Sequence, residues 1–212
     1  MDTSYNQVAG QSVERLAALS DGIFGVAMTL LLLELHVPAK ELIHNEGELR
    51  IALALLAPQL LVYLMSFLTL GIFWVGQQTQ LNHLAHSERH LTWIHLAFLF
   101  IVTIMPFSTR LLIEFIDYRT ALLAYWSNIF LLGAMLYLSW WRATRAGLIK
   151  SDTAPKIVAA IRRRIWTAQS FYALGALLCM FHPYWSIAFI VLVQLYYATA
   201  PRYGRSKPSE DA

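Results

Sequence analysis

The chain has 212 residues, of which 58% are hydrophobic and 14% charged, with a mean hydropathy of +0.51. Soluble globular domains carry about 25% charged residues, so this composition excludes an ordinary soluble fold and indicates an integral membrane protein. The formal net charge is +3. Cys179 is the only cysteine, which excludes an intramolecular disulfide and any multi-cysteine metal site.

Six apolar runs long enough to cross a membrane follow one another along the chain. A spanning helix needs roughly 20 apolar residues and satisfies its own backbone hydrogen bonds in hydrocarbon. The pattern predicts an all-α membrane protein with six transmembrane helices, at about 14–36, 49–76, 90–114, 119–141, 162–181 and 184–200. His182 and Pro183 separate the last two, because proline breaks a helix.

Three regions follow from these spans. We expect a polar N-terminal segment at 1–13, a six-helix transmembrane domain at 14–200 and a flexible cytoplasmic tail at 201–212. The tail is rich in Pro, Ser, Gly and charged residues, a composition that does not form a packed core.

Basic residues are concentrated on one side of the predicted spans. The side that holds both termini carries twelve, and the other side carries Lys40, Arg50, Arg110 and Arg119. Lys and Arg near span ends are retained on the cytoplasmic side, so both termini are predicted to be cytoplasmic. Seven of the twelve lie at 142–164. The run "RRRIW" at 162–166 could contact RNA, but no soluble fold or aromatic platform surrounds it, and an orientation signal or a contact with anionic lipid is favoured.

The first span, "RLAALSDGIFGVAMTLLLLEL" at 15–35, combines a polar head with an aliphatic stripe. Helical geometry places residues three and four apart on one face. The stripe consists of Arg15, Leu19, Gly22, Val26, Thr29, Leu30 and Leu33. Periodicity alone favours the interpretation that its apolar members are ordinary helix-packing residues over the interpretation that they line a pore. A pore would require several copies around an axis, with a ring of aliphatic side chains as its constriction.

The polar head is predicted to be a clamp between helices. Asp21 lies about 120° around the helix from Arg15, so the two are not expected to form a simple pair within the helix. Ser20 and Asp21 should point toward other helices, because an ionisable group near a membrane needs hydrogen-bond donors or water. The nearby candidates are Trp74, Gln77, Gln78, Thr92 and His95.

Several of these motifs resemble one known family. "RLAALSD" is similar to the Arg-x-x-x-Phe-Ser-Asp signature of the lysosomal transmembrane protein 175 potassium channels and their bacterial relatives, with Leu19 where phenylalanine is usual. "GIFGVAMTLLLLEL", "SFLTLGIFWV" and "FLFIVTIMPFSTRLL" resemble that family's first three spans. The resemblance covers about half of the chain with specific motifs and the remainder by topology.

The resemblance implies a specific architecture and activity. One-repeat members carry six spans and assemble as homotetramers in which the first helices surround a pore. The positions implied to line the pore are Val26, Thr29, Leu30 and Leu33, and the implied polar clamp contains Arg15, Ser20, Asp21, Trp74 and Gln77. We therefore expect a potassium-permeable cation channel of a prokaryotic cell membrane with a modest preference for K⁺ over Na⁺. Its expected partners are the bilayer, K⁺ in the pore and three further copies, without cofactor or nucleic acid.

Two departures from the family pattern affect these expectations. Gln77 and Gln78 stand where a histidine pair is usual, and glutamine forms hydrogen bonds but does not titrate. Val26 is smaller than the isoleucine or leucine common at its position, which predicts a wider constriction.

Other polar groups leave alternatives open. His83, His86 and His90 could share a helical face as metal ligands, although solvated loop histidines are commoner, and we predict no metal site. Thr29 is either a pore-facing oxygen or a hydroxyl bonded to its own backbone. Glu34 either attracts cations to the pore mouth or is a solvated interfacial carboxylate.

The class of protein has two rivals to a channel. No paired carboxylates, nucleophile elbow, HExxH or phosphate loop occurs, so an enzyme is not expected. A proton-coupled secondary transporter would need a titratable residue at mid-membrane or a broken helix pair, and neither is evident in the sequence. A non-conducting membrane scaffold is the third possibility.

Overall fold

The computed structural model describes residues 12–199, which are almost entirely helical. The helices are α1 (Val13–Leu33), α2 (Glu46–Leu55), α3 (Ala57–Asn82), α4 (Arg89–Glu114), α5 (Arg119–Arg145), α6 (Pro155–Leu178) and α7 (Pro183–Thr199). A 3₁₀ turn at Lys40–Leu42 lies between α1 and α2. The all-α prediction is confirmed. The terminal regions predicted at 1–13 and 201–212 lie outside the described residues, apart from Ser12 and Val13 at the start of α1.

Four of the described helices are long and apolar enough to cross a membrane: α1, α3, α4 and α5. The apolar part of α7, Pro183–Ala198, is shorter than these four helices and is not counted with them. The first half of α6 carries Lys156 and three consecutive arginines, which lower its hydropathy. The last apolar run does divide into two helices, with α7 beginning at Pro183 as its proline predicts.

The second predicted span is wrong in its boundaries. A continuous helix was expected at 49–76, but the chain forms two helices that meet at Leu56, and the second continues to Asn82. Pro58 lies at the start of α3, where it lacks the N–H that would continue the α2 hydrogen-bond ladder. The N–H of Leu56 instead contacts the carbonyls of Leu53 and Ala54. Proline in an apolar run was the signal for this break.

Two side-chain contacts hold the start of α2. The side chain of Asn45 accepts a hydrogen bond from the backbone N–H of Glu48 at 2.9 Å. The Glu48 carboxylate in turn accepts one from the N–H of His44 at 2.7 Å, and this bond lowers the pKa of Glu48. The Asn45 side chain thus satisfies one N–H group that the helix start leaves without a partner, and Glu48 holds the residue before the cap.

The helices pack around one core. α1 lies against α3 and α4, α5 contacts α3, α4 and α6, and α7 packs against α3 and α6. A smaller apolar cluster lies at the end of the bundle where α3 and α5 end and α4 begins. It consists of Leu81, Leu84, Leu91, Ala143 and Leu148. There the α3–α4 connection pairs with the α5–α6 connection through an isolated bridge between Leu84 and Ile149.

The close approach of α6 to α7 depends on Gly175. A Cβ atom added there would lie 2.7 Å from Cγ1 of the buried Ile190. We expect Gly175→Ala to destabilise the protein by about 1–3 kcal/mol, because overpacking displaces neighbouring side chains or backbone. Thermal unfolding of detergent-solubilised protein, followed by tryptophan fluorescence, measures this loss.

The matched control for that substitution is Gly71→Ala in α3. Its added Cβ would meet only the Met28 methyl, at 4.0 Å, and alanine stabilises a helix interior by roughly 0.5–1 kcal/mol relative to glycine. A lower midpoint for Gly175→Ala alone is the expected result. Equal midpoints for the two variants would contradict the close contact.

Candidate pore-lining helix face and polar clamp

Helix α1 has one buried and one exposed face. Its buried residues recur at helical spacing and pack on α3 and α4: Leu16, Ser20, Phe24, Ala27 and Leu31. On the opposite face, Val26 is 59% exposed, Leu30 42% and Leu33 71%. We call Val26, Thr29, Leu30 and Leu33 the α1 stripe. These four positions lie on the surface of the protomer, where lipid or another copy can contact them.

The α1 stripe borders an open groove. The groove has a volume of about 370 Å³ and lies between α1 and Thr103 of α4. The backbone near it is bare, because a Cβ added at Gly22 or Gly25 would meet no atom within 4 Å. No side chain from residues 12–199 therefore fills the space over these two glycines.

Thr29 adopts the backbone-bonded alternative while remaining on the exposed face. Its hydroxyl lies 2.8 Å from the carbonyl of Val26 and 3.1 Å from that of Gly25. A hydroxyl that donates to its own helix still has acceptor capacity toward the surface.

The polar clamp joins α1 to α3 through a single carboxylate. One oxygen of Asp21, Oδ1, accepts hydrogen bonds from Trp74 Nε1 at 2.8 Å and from Gln78 Nε2 at 2.7 Å. The donors are one helical turn apart on α3, so both reach the same acceptor. Bonds to an ionised acceptor are stronger than those between neutral groups.

The membership of this clamp differs from the prediction at three positions. Gln78 occupies the place expected for Gln77. The Ser20 hydroxyl donates to the carbonyl of Leu16 in its own helix, at 2.8 Å, because Ser20 lies on the buried face. Arg15 is exposed, and its side chain makes no hydrogen bond or ion pair within residues 12–199.

Gln77 belongs to a second, buried contact that links α3, α4 and α5. Its Nε2 lies 3.3 Å from His95 Nδ1, and Ser139 Oγ lies 3.2 Å from His95 Nε2. When the Gln77 amide donates to Nδ1, the Nε2–H donates to Ser139, and the neutral imidazole is satisfied on both sides. Sequence reasoning missed Ser139, because an isolated serine in an apolar helix carries no positional signal.

A further polar network lies inside the helical bundle. Tyr125 OH is 3.2 Å from Ser66 Oγ and 3.3 Å from Thr69 Oγ1. Thr109 Oγ1 contacts Ser66 at 2.8 Å, and Gln194 Nε2 donates to Thr69 at 2.6 Å. These five buried side chains connect α3, α4, α5 and α7. The contacts join residues distant in sequence, which periodicity does not reveal.

The other end of α1 is held by an ion pair. Glu34 lies 3.7 Å from Arg110, which also contacts Glu114 at 3.0 Å. The two alternatives considered for Glu34 did not include this pairing, in which the carboxylate is partly buried against α4. The three connection histidines do not converge: His83 Nδ1 contacts the carbonyl of Thr79, and no group of three His, Cys, Asp or Glu side chains within 12–199 could hold a metal ion.

The fold and site thus define an all-helical membrane protein whose first helix leaves an aliphatic face uncovered. Residues 15–106 match the sequence model of the family described as endosomal/lysosomal potassium channel TMEM175. A solved structure of a TMEM175 homologue from Chamaesiphon minutus, described as a lysosomal potassium-selective channel homologue, superposes with a TM-score of 0.77 at 25% identity. It covers 88% of this chain and 96% of the other.

Relatives extend this similarity beyond the matched segment. A protein named as a potassium channel from Streptomyces collinus is 33% identical over 63% of this chain and 65% of its own length. One with the same description from Chamaesiphon minutus is 28% identical over 87% of this chain and 92% of its own. The human relative, named as an endosomal/lysosomal proton channel, is 32% identical over 37% of this chain and 16% of its own. Over residues 15–106 the chain is similar to the TMEM175 family, and its fold is similar to that of the Chamaesiphon homologue.

Proposed function

We propose that the chain is one subunit of a potassium-permeable cation channel in a prokaryotic cell membrane. Relatives from Streptomyces and Chamaesiphon that are named as potassium channels support this activity. The proposal includes six membrane-spanning helices per subunit, with α6 and α7 added to the four apolar ones, and both termini in the cytoplasm. The excess of Lys and Arg on the side of the termini supports this orientation.

The observation that carries the proposed mechanism is the uncovered face of α1. Large aliphatic side chains and two bare glycines occupy it, and no side chain within residues 12–199 covers them. Small residues allow close helix approach in membranes, so this face suits contact between copies. We propose a homotetramer in which the four α1 helices surround the pathway, as the resemblance implies for one-repeat chains.

Ion selection in this arrangement depends on dehydration. A ring formed by the α1 stripe is apolar and supplies few ligands to an ion that sheds water, apart from the hydroxyl of Thr29. The constriction therefore favours the ion that holds its water less tightly, which is K⁺ rather than Na⁺, and the preference is modest because no carbonyl filter is involved.

Flux into liposomes tests the proposed activity. K⁺-loaded vesicles that contain the purified protein are expected to release K⁺ faster than K⁺-loaded vesicles without protein. Na⁺-loaded vesicles that contain the protein should release Na⁺ more slowly than the K⁺-loaded ones release K⁺. Single-channel recording should give unitary currents, because a channel passes ions far faster than a carrier turns over. Vesicles that leak no faster than protein-free controls would contradict the channel assignment.

A proton-coupled secondary transporter is the second candidate, favoured by the buried His95. A titratable group inside a membrane protein is the feature that such carriers require. His95 lies only six residues into α4, however, or about 9 Å from its start, and not at mid-membrane. Both of its ring nitrogens also have partners, so the channel remains the function that the geometry supports better.

A further inference from the structure

Helices α5 and α6 line an open cavity outside the α1 region, with both polar and apolar side chains. It has a volume of about 570 Å³, within the range of roughly 300–1,000 Å³ typical of small-ligand sites. Arg145 of α5 and Arg162 of α6 line it from opposite sides, together with Trp141 and Tyr137. The family match at residues 15–106 does not reach this cavity.

The helices are held at this position by their own contacts. Trp140 Nε1 donates to the carbonyl of Val158 at 3.2 Å, and the Trp166 ring packs edge-on against Tyr137 at 5.6 Å. Both tryptophans bridge α5 and α6. The cavity between these contacts is therefore bounded by packed side chains on both helices.

Arginine and aromatic residues occupy successive levels on both helices. Arg145 follows Trp141 by four residues on α5, and Arg162 precedes Trp166 by four residues on the antiparallel α6. Each arginine therefore lies one turn, about 6 Å, farther out than its tryptophan. Trp and Tyr concentrate at the level of lipid headgroups. The Trp140–Val158 and Tyr137–Trp166 contacts place Arg162 close to the level of Tyr137 and Arg145 about 10 Å farther out, so the two guanidinium groups approach the cavity from different depths.

The two cavity arginines are not neutralised by the protein. Arg142 on the same helix is paired with Glu88, and Lys150 donates to the carbonyl of Asn82. Within residues 12–199, neither Arg145 nor Arg162 is paired with a carboxylate, and the Arg145 guanidinium lies 4.7 Å above the Trp141 ring. A guanidinium stacked on an aromatic ring keeps its N–H donors for an anion.

We propose that this cavity binds the phosphate headgroup of an anionic phospholipid. The Arg145 and Arg162 guanidinium groups donate to the phosphate oxygens, and the apolar side chains of Val158 and Tyr137 contact the first carbons of the acyl chains. Juxtamembrane basic residues attract anionic lipids of the cytoplasmic leaflet, which matches the orientation predicted from the charge distribution.

Lipid binding to the detergent-solubilised full chain tests this site. Native mass spectrometry with phosphatidylglycerol is compared with the same measurement using the zwitterionic phosphatidylcholine. The double variant Arg145→Gln/Arg162→Gln should bind phosphatidylglycerol roughly thirtyfold more weakly, as two basic residues near an anionic surface predict. Both positions are exposed, so the variant is expected to fold.

The neighbouring Arg163→Gln provides the matched control. Arg163 carries the same charge and is exposed, but it does not line the cavity. It should change phosphatidylglycerol binding by less than about threefold, because an exposed charge that does not contact the bound headgroup contributes little. The proposal would be overturned if Arg163→Gln weakened phosphatidylglycerol binding as much as each of the two cavity arginines does. Equal binding of the two lipids by the native chain would also overturn it. Displacement of lipid by millimolar glycerol 3-phosphate would also overturn it, because it would indicate a site for free phosphate.

Discussion

Replacing Leu30 with asparagine is expected to raise potassium flux into liposomes roughly tenfold and to abolish most of the preference for K⁺ over Na⁺. Leu30 is 42% exposed in the middle of the α1 stripe, and four copies would form an apolar ring. Asparagine supplies amide oxygens that replace lost hydration, so the barrier falls by about 1.4 kcal/mol for a tenfold gain in rate. Na⁺ benefits more than K⁺, because its dehydration is the larger obstacle.

Leu32→Asn is the matched control for this experiment. Leu32 lies on the same helix and is 56% exposed, but it is turned about 200° from Leu30. In the proposed assembly it points away from the axis, so the same substitution should leave flux and ion preference within about twofold of the native chain. Equal effects of Leu30→Asn and Leu32→Asn would show that the α1 stripe is not the pathway.

Asp21→Ala should lower the free energy of unfolding by about 2 kcal/mol and reduce assembly before it alters ion preference. The substitution leaves Trp74 Nε1 and Gln78 Nε2 without the carboxylate that both contact. Hydrogen bonds to a charged group contribute about 1.5–3 kcal/mol each, and water replaces part of this at an exposed site. Thermal unfolding and size-exclusion chromatography of the solubilised protein measure the two losses. Asp21→Asn should have the smaller effect, since its amide oxygen still accepts both bonds.

A double-mutant cycle isolates the contact that holds α1. Trp74→Phe keeps the aromatic ring and removes only the donor to Asp21. If the clamp acts through this bond, Asp21→Ala and Trp74→Phe are non-additive, with a coupling energy of at least about 0.5 kcal/mol. Strict additivity would mean that the Asp21–Trp74 bond does not contribute to stability.

Several features of the fold were predictable from local sequence because they have a local cause. Each predicted apolar run overlaps a helix, although the second is divided at Leu56, and His182–Pro183 marked the division before α7. The apolar pattern of the run predicted one continuous helix across Leu56, because it continues through Pro58. Pro58 was nevertheless a signal for the break. Hydropathy reports burial in lipid and is insensitive to a single missing N–H.

The clamp shows where periodicity stops being informative. Asp21 was expected to meet a donor on α3, and both Trp74 and Gln78 contact it. The choice between Gln77 and Gln78 depends on which turns toward α1, and adjacent residues differ by about 100°. Gln77 turns instead toward His95, a contact that depends on the packing of α4 against α3 and α5.

Hydropathy and the helical repeat were enough to predict a helical membrane protein, a helix in each apolar run and the aliphatic stripe of the first helix. Both act within a few turns of chain. The packing of the helices was needed to show that no side chain within residues 12–199 covers the stripe and that Asp21 is shared by two donors. The same packing places two arginines of separate helices at one cavity. Such contacts depend on the crossing and rotation of packed helices, which pairs of distant side chains determine together.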